Sequence, residues 1–176
     1  PNLIKGVQME GLRVIGNPSA YARKYADEGA DEILYLDTVA SLYGRNNLTE
    51  IIEEASDGVF VPITCAGGVR TVDDVQRLLD AGADKVAINS AAIREPALIR
   101  RCADRYGSQA IVVSIEAKRV NGSWEAYTDC GRERSGQDVK RWAEEAVALG
   151  AGEILLTSVD RDGTCRGPDL ELAASL

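Results

Sequence analysis

Residues 29–34 read Gly-Ala-Asp-Glu-Ile-Leu, and residues 150–155 nearly repeat them as Gly-Ala-Gly-Glu-Ile-Leu. A third and weaker copy, Gly-Ala-Asp-Lys-Val, occupies residues 82–86. In each copy a helix-like segment turns at Gly-Ala, and a strand-like run then begins at a charged residue. Glycine suits such a helix end because it adopts the left-handed conformation without a side-chain penalty. The two strong copies start 121 residues apart, a period typical of half an eight-stranded α/β barrel rather than of a short solenoid repeat.

Short apolar runs alternate with amphipathic segments along the whole chain. The runs are apolar at consecutive positions, which is typical of parallel strands buried on both faces. We predict five such strands, at Ile33–Asp37, Val61–Thr64, Lys85–Asn89, Ala110–Glu116 and Glu153–Ser158. The predicted helices between them include Ser19–Glu28, Val72–Ala81 and Gln137–Leu149. Asn17-Pro18 precedes the first of these helices, and Thr71 with Asp74 forms a capping-box pair at the second.

These patterns predict an α/β fold, a partial (β/α)8 TIM barrel in a single domain of residues 1–176. A full barrel needs about 250 residues, so we expect about five parallel strands, the second to the sixth, with their helices. Residues 1–18 are predicted as the loop that follows the missing first strand. A doubly wound sheet stays open as an alternative, because both folds use the same strand–helix units.

The composition limits the possible functions. A net charge of −8 argues against nucleic-acid and membrane-surface partners, which both favour a basic face. Histidine is absent, so proton transfer falls to carboxylates, lysines or cysteines. The four cysteines lack metal-binding spacing, and we expect reduced thiols in a cytoplasmic protein without a metal or a cofactor. No signal segment or membrane-spanning run is evident, and because the chain starts at Pro1 we expect it to be a piece of a longer protein.

Two neighbouring strand ends carry residues that suit an anion. Gly67 and Gly68 follow one strand and allow backbone N–H groups to approach a phosphate closely. Asn89 and Ser90 end the next strand and open a helix, so they add side-chain donors. The sequence therefore predicts one phosphate site shared by both loops, although two tight turns with a helix cap would have the same composition.

Carboxylates follow two further strands. Glu116 ends an apolar strand, where a low-dielectric surrounding raises the pKa of a carboxyl, so it is the candidate general acid or base. The structural alternative is an ion pair with Lys118. Asp162 and Gly163 lie in the Asp-rich loop after Glu153–Ser158, a position suited to proton transfer or hydroxyl binding, with a solvated turn as its alternative.

Three longer stretches carry a resemblance to a known family. They are Gly-Ala-Asp-Lys-Val-Ala-Ile-Asn-Ser-Ala-Ala-Ile at 82–93, Gly-Ser-Gln-Ala-Ile-Val-Val-Ser-Ile-Glu-Ala-Lys-Arg at 107–119, and Gly-Ala-Gly-Glu-Ile-Leu-Leu-Thr-Ser-Val-Asp-Arg-Asp-Gly-Thr at 150–164. Over nearly its whole length the chain resembles the cyclase subunit of imidazole glycerol phosphate synthase, a lyase of histidine biosynthesis. The related isomerase of that pathway fits residues 116–119 less well.

The resemblance implies a barrel that takes ammonia from a glutaminase subunit and closes an imidazole ring on a bisphosphorylated ribulose intermediate. It places Gly68, Asn89 and Ser90 at one phosphate of the substrate. Asp162 and Gly163 would contact the other phosphate, and Lys5 would cover the substrate from the mobile first loop. It also implies an ammonia gate at the opposite face, formed by Glu32, Lys85 and Glu153.

The chain departs from the family at its catalytic carboxylates. The family pairs two aspartates, at the ends of the first and fifth strands; the first lies outside this chain, and Glu116 stands at the second. The longer side chain also fits a divergent branch of cyclase-like partners in the amidation of surface-polysaccharide sugars, to which residues 41–47 (Ser-Leu-Tyr-Gly-Arg-Asn-Asn) also point. A cyclase piece, an amidation partner and a non-catalytic folding or assembly fragment stay open as functions.

An unclosed sheet would expose unpaired strand edges. We therefore expect the isolated chain to self-associate as a homodimer or a higher oligomer. We expect no cyclase turnover from the isolated chain, and weak phosphate binding at Gly68, Asn89 and Ser90.

Overall fold

A computed structural model describes residues 2–38 and 48–176. The chain begins with strands β1 (Leu3–Val7) and β2 (Glu10–Gly16), followed by α1 (Pro18–Asp27), β3 (Ile33–Leu36), α2 (Leu48–Ser56), β4 (Ile63–Ala66), α3 (Val72–Asp80), β5 (Lys85–Ile88), α4 (Ser90–Arg94) and α5 (Ala97–Tyr106). A 3-10 turn at Ser108–Ala110 leads into β6 (Ile111–Val120), β7 (Ser123–Thr128), β8 (Glu133–Asp138), α6 (Val139–Ala148), β9 (Glu153–Ser158) and α7 (Leu170–Ala174).

Strands β3, β4, β5, β6 and β9 form one parallel sheet in which they lie side by side in chain order. The α/β fold and the five predicted parallel strands are confirmed, with ends that differ by at most four residues. The prediction that Glu116 ends its strand is wrong, because β6 continues to Val120 by pairing with β7. A doubly wound sheet reverses its strand order at a switch point, and the described strands show no such reversal. The carboxyl ends of all five strands therefore meet at one edge of the sheet.

The sheet has a helix-covered face and a second, more open face. Alternate residues of β5 and β6, such as Val86, Val113 and Ile115, are fully buried in the main core together with Leu78 and Trp142 of the helices. The second face carries the small cluster of Ala66, Ala87 and Val112, against which Leu155 packs. On the same face, Leu34 and Leu36 of β3 are 43% and 40% exposed. Because helices cover one face only, the other face is available for a site.

The helix starts form as predicted. The Asn17 side chain accepts a hydrogen bond from the N–H of Ala20, and Pro18 occupies the first turn of α1, where its missing N–H costs nothing. Thr71 and Asp74 form the predicted capping box of α3.

Two antiparallel hairpins were not predicted. Residues 1–18, predicted as a loop, contain the β1–β2 hairpin, and Pro18 already belongs to α1. Between β6 and α6, β7 pairs with both β6 and β8 and extends the sheet. The tract at residues 41–47, which pointed towards sugar amidation, lies outside the described residues. No helix within residues 2–38 and 48–176 is long and apolar enough to cross a membrane.

Candidate functional site

The loops that follow β3, β4 and β5, together with residues within β6 and the turn after β7, surround a cavity of about 70 Å³. We call it the strand-end pocket. The five predicted residues that line it are Gly67, Gly68, Asn89, Ser90 and Glu116. The two loops predicted to bind an anion and the candidate acid or base, which the sequence placed on three different strands, therefore meet in one cavity.

The glycine pair adopts a backbone that favours glycine. Gly67 has φ = 105° and Gly68 has φ = 73°, both in the left-handed region. A Cβ atom on Gly67 would lie 2.4 Å from the carbonyl oxygen of Asp37. Any side chain at Gly67 would therefore force the loops after β3 and β4 apart, which explains why the pocket wall is bare backbone there.

Asn89 contacts β7 near its end, and Ser90 contacts the residue that follows β7. The Asn89 amide donates to the carbonyl of Tyr127 at 3.3 Å, while its buried Oδ1 atom has no hydrogen-bond partner within the described part of the chain. The Ser90 hydroxyl oxygen accepts the N–H of Asp129 at 3.0 Å. A hydroxyl that accepts a hydrogen bond keeps its own hydrogen as a donor, so Ser90 can still donate to an anion in the pocket.

Glu116 lies on β6 on the same side as Val112 and Ser114, and it is 4% exposed. Burial raises the pKa of Glu116 above its ordinary value, because removal from water disfavours the charged form. Hydrogen bonds from the Gly131 N–H, at 2.7 Å, and from Asn89 offset part of this rise. The prediction that burial raises the pKa of this carboxyl is confirmed.

The alternative reading of Glu116, an ion pair with Lys118, is not what the structure contains. The Lys118 ammonium lies 4.8 Å from the centre of the Tyr127 ring, in a cation–π arrangement. Its charge lowers the pKa of Glu116 only as the weakest of several influences. Glu116 therefore points into the pocket without a lysine partner at contact distance.

Several pocket residues were missed from the sequence. Asp37 lines the pocket and directly follows β3. Glu116 was selected as a carboxylate at a predicted strand end, and the same rule could have found Asp37. Arg94 also lines the pocket and pairs with Asp129 at 2.9 Å. Nothing local in the sequence signals this pair, because its members lie 35 residues apart and meet only through the unpredicted β7–β8 hairpin.

Lys5, Asp162 and Gly163 lie apart from the strand-end pocket. Lys5 and Gly163 line a second cavity along the β1–β2 hairpin. The Asp162 carboxylate accepts the N–H of Met9 at 3.1 Å, and its carbonyl accepts the N–H of Gln8 at 2.9 Å. A Cβ atom on Gly163 would lie 2.3 Å from the carbonyl oxygen of Gly6. The loop after β9 therefore holds the hairpin that carries Lys5.

At the opposite edge of the sheet the structure brings Glu32, Lys85 and Glu153 together. The Lys85 ammonium donates to Glu153 at 2.7 Å and to Glu32 at 2.9 Å, and these bonds raise its pKa. Thr64 donates to the other oxygen of Glu32 and is the first cause of the lowered pKa of that carboxyl. We call these three charged residues the amino-end rim. The rim presents one lysine between two carboxylates at the entrance to the open face.

Metal ligands are not grouped in the described ranges. Within residues 2–38 and 48–176, no three side chains of the types His, Cys, Asp and Glu lie close enough to hold a metal ion. The strand-end pocket is lined by backbone N–H groups, arginines and carboxylates, which suit an anionic substrate and proton transfer.

Comparison with known proteins gives matches along nearly the whole chain. A family model described as "Histidine biosynthesis protein" matches residues 2–176. The chain is 62% identical over 173 residues to the imidazole glycerol phosphate synthase subunit HisF of Legionella pneumophila, covering 98% of this chain and 82% of that protein. It is 52% identical over 174 residues to the subunit of the same name from Myxococcus xanthus (strain DK1622), covering 99% and 69%. The strand-end pocket and the amino-end rim both lie within the matched region.

Proposed function

Because this chain belongs to the histidine biosynthesis protein family, among the HisF subunits of imidazole glycerol phosphate synthase, we propose that its strand-end pocket serves the cyclase reaction of that enzyme. In this proposal the pocket binds one phosphate of a bisphosphorylated ribulose intermediate. Glu116 then transfers protons while ammonia closes the imidazole ring. The products are imidazole glycerol phosphate and an aminoimidazole carboxamide ribotide.

One observation carries this proposal. Four donors selected for phosphate binding and one carboxylate selected for proton transfer line the same cavity, although they come from the loops after β4 and β5 and from within β6. A phosphate held at Gly67, Gly68, Asn89 and Ser90 would fix one end of the substrate beside Glu116. Such fixation accounts for much of enzymatic rate enhancement, because a held substrate reacts without the entropy cost of encounter.

Proton transfer at Glu116 follows from its surroundings. Because its pKa is raised, Glu116 stays protonated to a higher pH than an exposed glutamate does, which brings its titration closer to neutral pH. The protonated form can donate to a leaving oxygen, and the ionised form can accept from the attacking ammonia nitrogen. The Gly131 N–H holds the Oε2 atom in place, so Oε1 is the atom assigned to the substrate.

We further propose that the sheet forms the second to the sixth strands of a (β/α)8 barrel. The support is its sequential strand order, its helices on one face and its small inward side chains Ala66 and Ala87. In that arrangement the open face lines the barrel interior. Lys5, Asp162 and Gly163 would then border the second phosphate at the far side of the same carboxyl-end mouth.

The amino-end rim is our proposed entry for ammonia, and the surface around it our proposed contact for a glutaminase subunit. The rim carries one positive and two negative charges, and its side chains are 20–50% exposed. The rim can therefore open by breaking two hydrogen bonds at Lys85, because water can solvate the separated charges. Phe60 is 94% exposed and precedes β4 at this same edge. An exposed aromatic side chain is a typical interface anchor, so a Phe60→Asp variant should weaken glutaminase binding.

Growth of a histidine auxotroph tests the cyclase proposal. The chain replaces the matching 173 residues of the Legionella relative, so that the pocket works in the context of a known HisF subunit. Growth of cells carrying this chimera, together with loss of growth in its Glu116→Gln variant, would support cyclase chemistry at Glu116. Absence of growth from a folded chimera that does bind the glutaminase subunit would contradict it.

A cyclase-like partner in sugar amidation is the second candidate, and Glu116 favours it. Glutamate places its carboxyl one methylene further into the pocket than aspartate, and displacements near 1 Å matter for catalytic geometry. A chimera that supports growth only as Glu116→Asp would favour this second candidate, because the pocket would then be competent for the cyclase except at this one position.

A further inference from the structure

The turn that joins β7 to β8 has an unusual backbone beside the pocket. Asp129, Cys130 and Gly131 have φ values of 52°, 59° and 72°, so three consecutive residues are left-handed and two of them carry a Cβ atom. Such a conformation is costly for residues other than glycine and persists only where surrounding contacts impose it. We call residues 129–131 the left-handed turn.

The contacts that impose this conformation come from α4, from the residue Thr38 after β3, and from within β6. The Asp129 N–H donates to Ser90, and the Asp129 carboxylate accepts from Arg94 at 2.9 Å. The Cys130 thiol donates to the carbonyl of Thr38 at 3.0 Å. The Gly131 N–H donates to Glu116 at 2.7 Å. The left-handed turn thus contacts Ser90 of the proposed phosphate site through Asp129, and it contacts Glu116 through Gly131.

The influence of the Asp129 charge on Glu116 depends on whether Arg94 pairs with Asp129. In the structure the Arg94 guanidinium neutralises Asp129. Arg94 also lines the pocket beside Ser90, and a phosphate dianion is a stronger partner for a guanidinium than a single carboxylate is. Asp129 in turn acts on Glu116 as a like charge that disfavours ionisation.

We propose that the left-handed turn couples phosphate binding to the protonation of Glu116. A phosphate bound at Ser90 draws Arg94 away from Asp129, and the uncompensated Asp129 carboxylate then favours the protonated, proton-donating form of Glu116. This inference rests on the proposed function, because it takes the phosphate pocket as given. The charged groups around Glu116 that enter the balance are Lys118 on β6, Asp129 in the turn, Asp37 after β3, Arg70 after β4 and Arg94 on α4.

The experiment first isolates the turn without any ligand. The titration midpoint of Glu116 is followed by carbon-13 NMR in the full chain labelled at glutamate side-chain carboxyls, with the signal assigned from Glu116→Gln. Arg94→Gln should raise the midpoint, because it leaves Asp129 uncompensated. Asp129→Asn should lower it and is compatible with the fold, since asparagine tolerates the left-handed backbone. A double variant that carries both Arg94→Gln and Asp129→Asn should have the same Glu116 midpoint as Asp129→Asn alone. Arg101→Gln, which breaks an exposed pair between α5 and Glu95 before it, is the matched control and should change nothing.

The same titration is then repeated with saturating inorganic phosphate. We expect phosphate to raise the Glu116 midpoint in the parent chain and to raise it less in Asp129→Asn. Equal phosphate effects in the two proteins, or an Arg94→Gln effect that persists in the double variant, would overturn the coupling. Failure of phosphate to bind the parent chain would overturn both the pocket assignment and its coupling, and the ligand-free comparison would still show whether Asp129 controls Glu116.

Discussion

Burial of a carboxyl group costs stability unless hydrogen bonds or an opposite charge compensate for the lost water. Glu116 is 4% exposed, has the Gly131 N–H as its closest donor and lacks a cationic partner at contact distance. The pKa of Glu116 is raised, so the folded state holds its proton to a higher pH than the unfolded chain does. Ionisation of Glu116 therefore costs stability at neutral pH, which is the expected signature of a residue kept for chemistry.

Replacement of Glu116 by glutamine should stabilise the fold in a pH-dependent way. In the parent chain, the unfolding free energy decreases as pH rises from the ordinary glutamate pKa of 4.5 through the raised folded value. Glutamine does not ionise, so Glu116→Gln should be more stable at pH 7, by about 1.4 kcal/mol for each unit of pKa elevation. Urea unfolding at pH 7 and pH 4 measures this, and the gain should shrink at pH 4. An equal gain at both pH values would contradict the assignment of burial as the cause.

The glycine at position 68 allows a direct test of phosphate binding in the pocket. Gly68→Asp places a carboxylate against the pocket, so affinity for inorganic phosphate should fall at least about ten-fold, or 1.4 kcal/mol. Isothermal titration or phosphorus NMR would measure the loss. Gly29→Asp is the matched control, because Gly29 also has a left-handed backbone, with φ = 94°, but lies in open space at a helix end. A Gly68→Asp variant that binds phosphate as well as the control does would refute the pocket.

The residues that could be predicted are those whose role follows from their position on one strand. The glycine pair follows β4 directly, and parallel strands bring their carboxyl ends to one edge. Glu116 was predicted at a strand end and lies within β6, but it faces the same cavity. Arg94, Asp129 and Cys130 could not be predicted in the same way. Their partners lie on other elements, and the pairing depends on where an unpredicted hairpin folds back.

Among the secondary-structure elements, helix starts could be predicted from the sequence and the hairpins could not. The capping box of α3 is read from residues three positions apart, so the sequence predicts it and the structure contains it. The β7–β8 hairpin was not predicted because its buried face includes Glu125. Glu125 is 9% exposed and accepts hydrogen bonds from Arg134 and from the N–H of Gly136. A buried carboxylate paired with an exposed arginine breaks the apolar alternation that marks a strand.

The capping box predicts a pH-dependent loss of stability. Burial raises the pKa of Asp74, but hydrogen bonds from the Arg70 N–H and from Thr71, with the nearby Arg77 charge, outweigh it and leave the pKa below its ordinary value of 3.8. The stabilisation is therefore complete above pH 4 and is lost as pH falls through the lowered pKa. Asp74→Ala should cost about 1–2 kcal/mol at pH 7, with a smaller loss near pH 2.5. Chemical unfolding at both pH values, with Asp73→Ala as the exposed first-turn control, checks this; an equal loss at both would be inconsistent with the cap.

At the scale of the whole molecule the parallel sheet has two unpaired sides. Among the described residues, β3 pairs only with β4, and β9 pairs with β6 alone. Unpaired N–H and C=O groups along a strand edge favour pairing with a further strand. Next to these edges, Leu34 and Leu36 expose apolar surface on the face that carries the rim and the pocket. Both features would be satisfied by additional strands that complete a barrel or by another copy of the chain.

We therefore predict that the purified chain self-associates through this face at micromolar concentration, as a dimer or a larger assembly. Leu34→Lys places a charge beside the β3 edge and should weaken association at least about ten-fold, since a lysine at a strand edge opposes further pairing. Val147→Lys is the matched control, because Val147 is 57% exposed on α6, on the helix-covered side. Sedimentation equilibrium measures both variants. A compact, stable monomer of the parent chain would show that its edges are satisfied within one molecule, and equal effects of the two lysines would place the contact elsewhere.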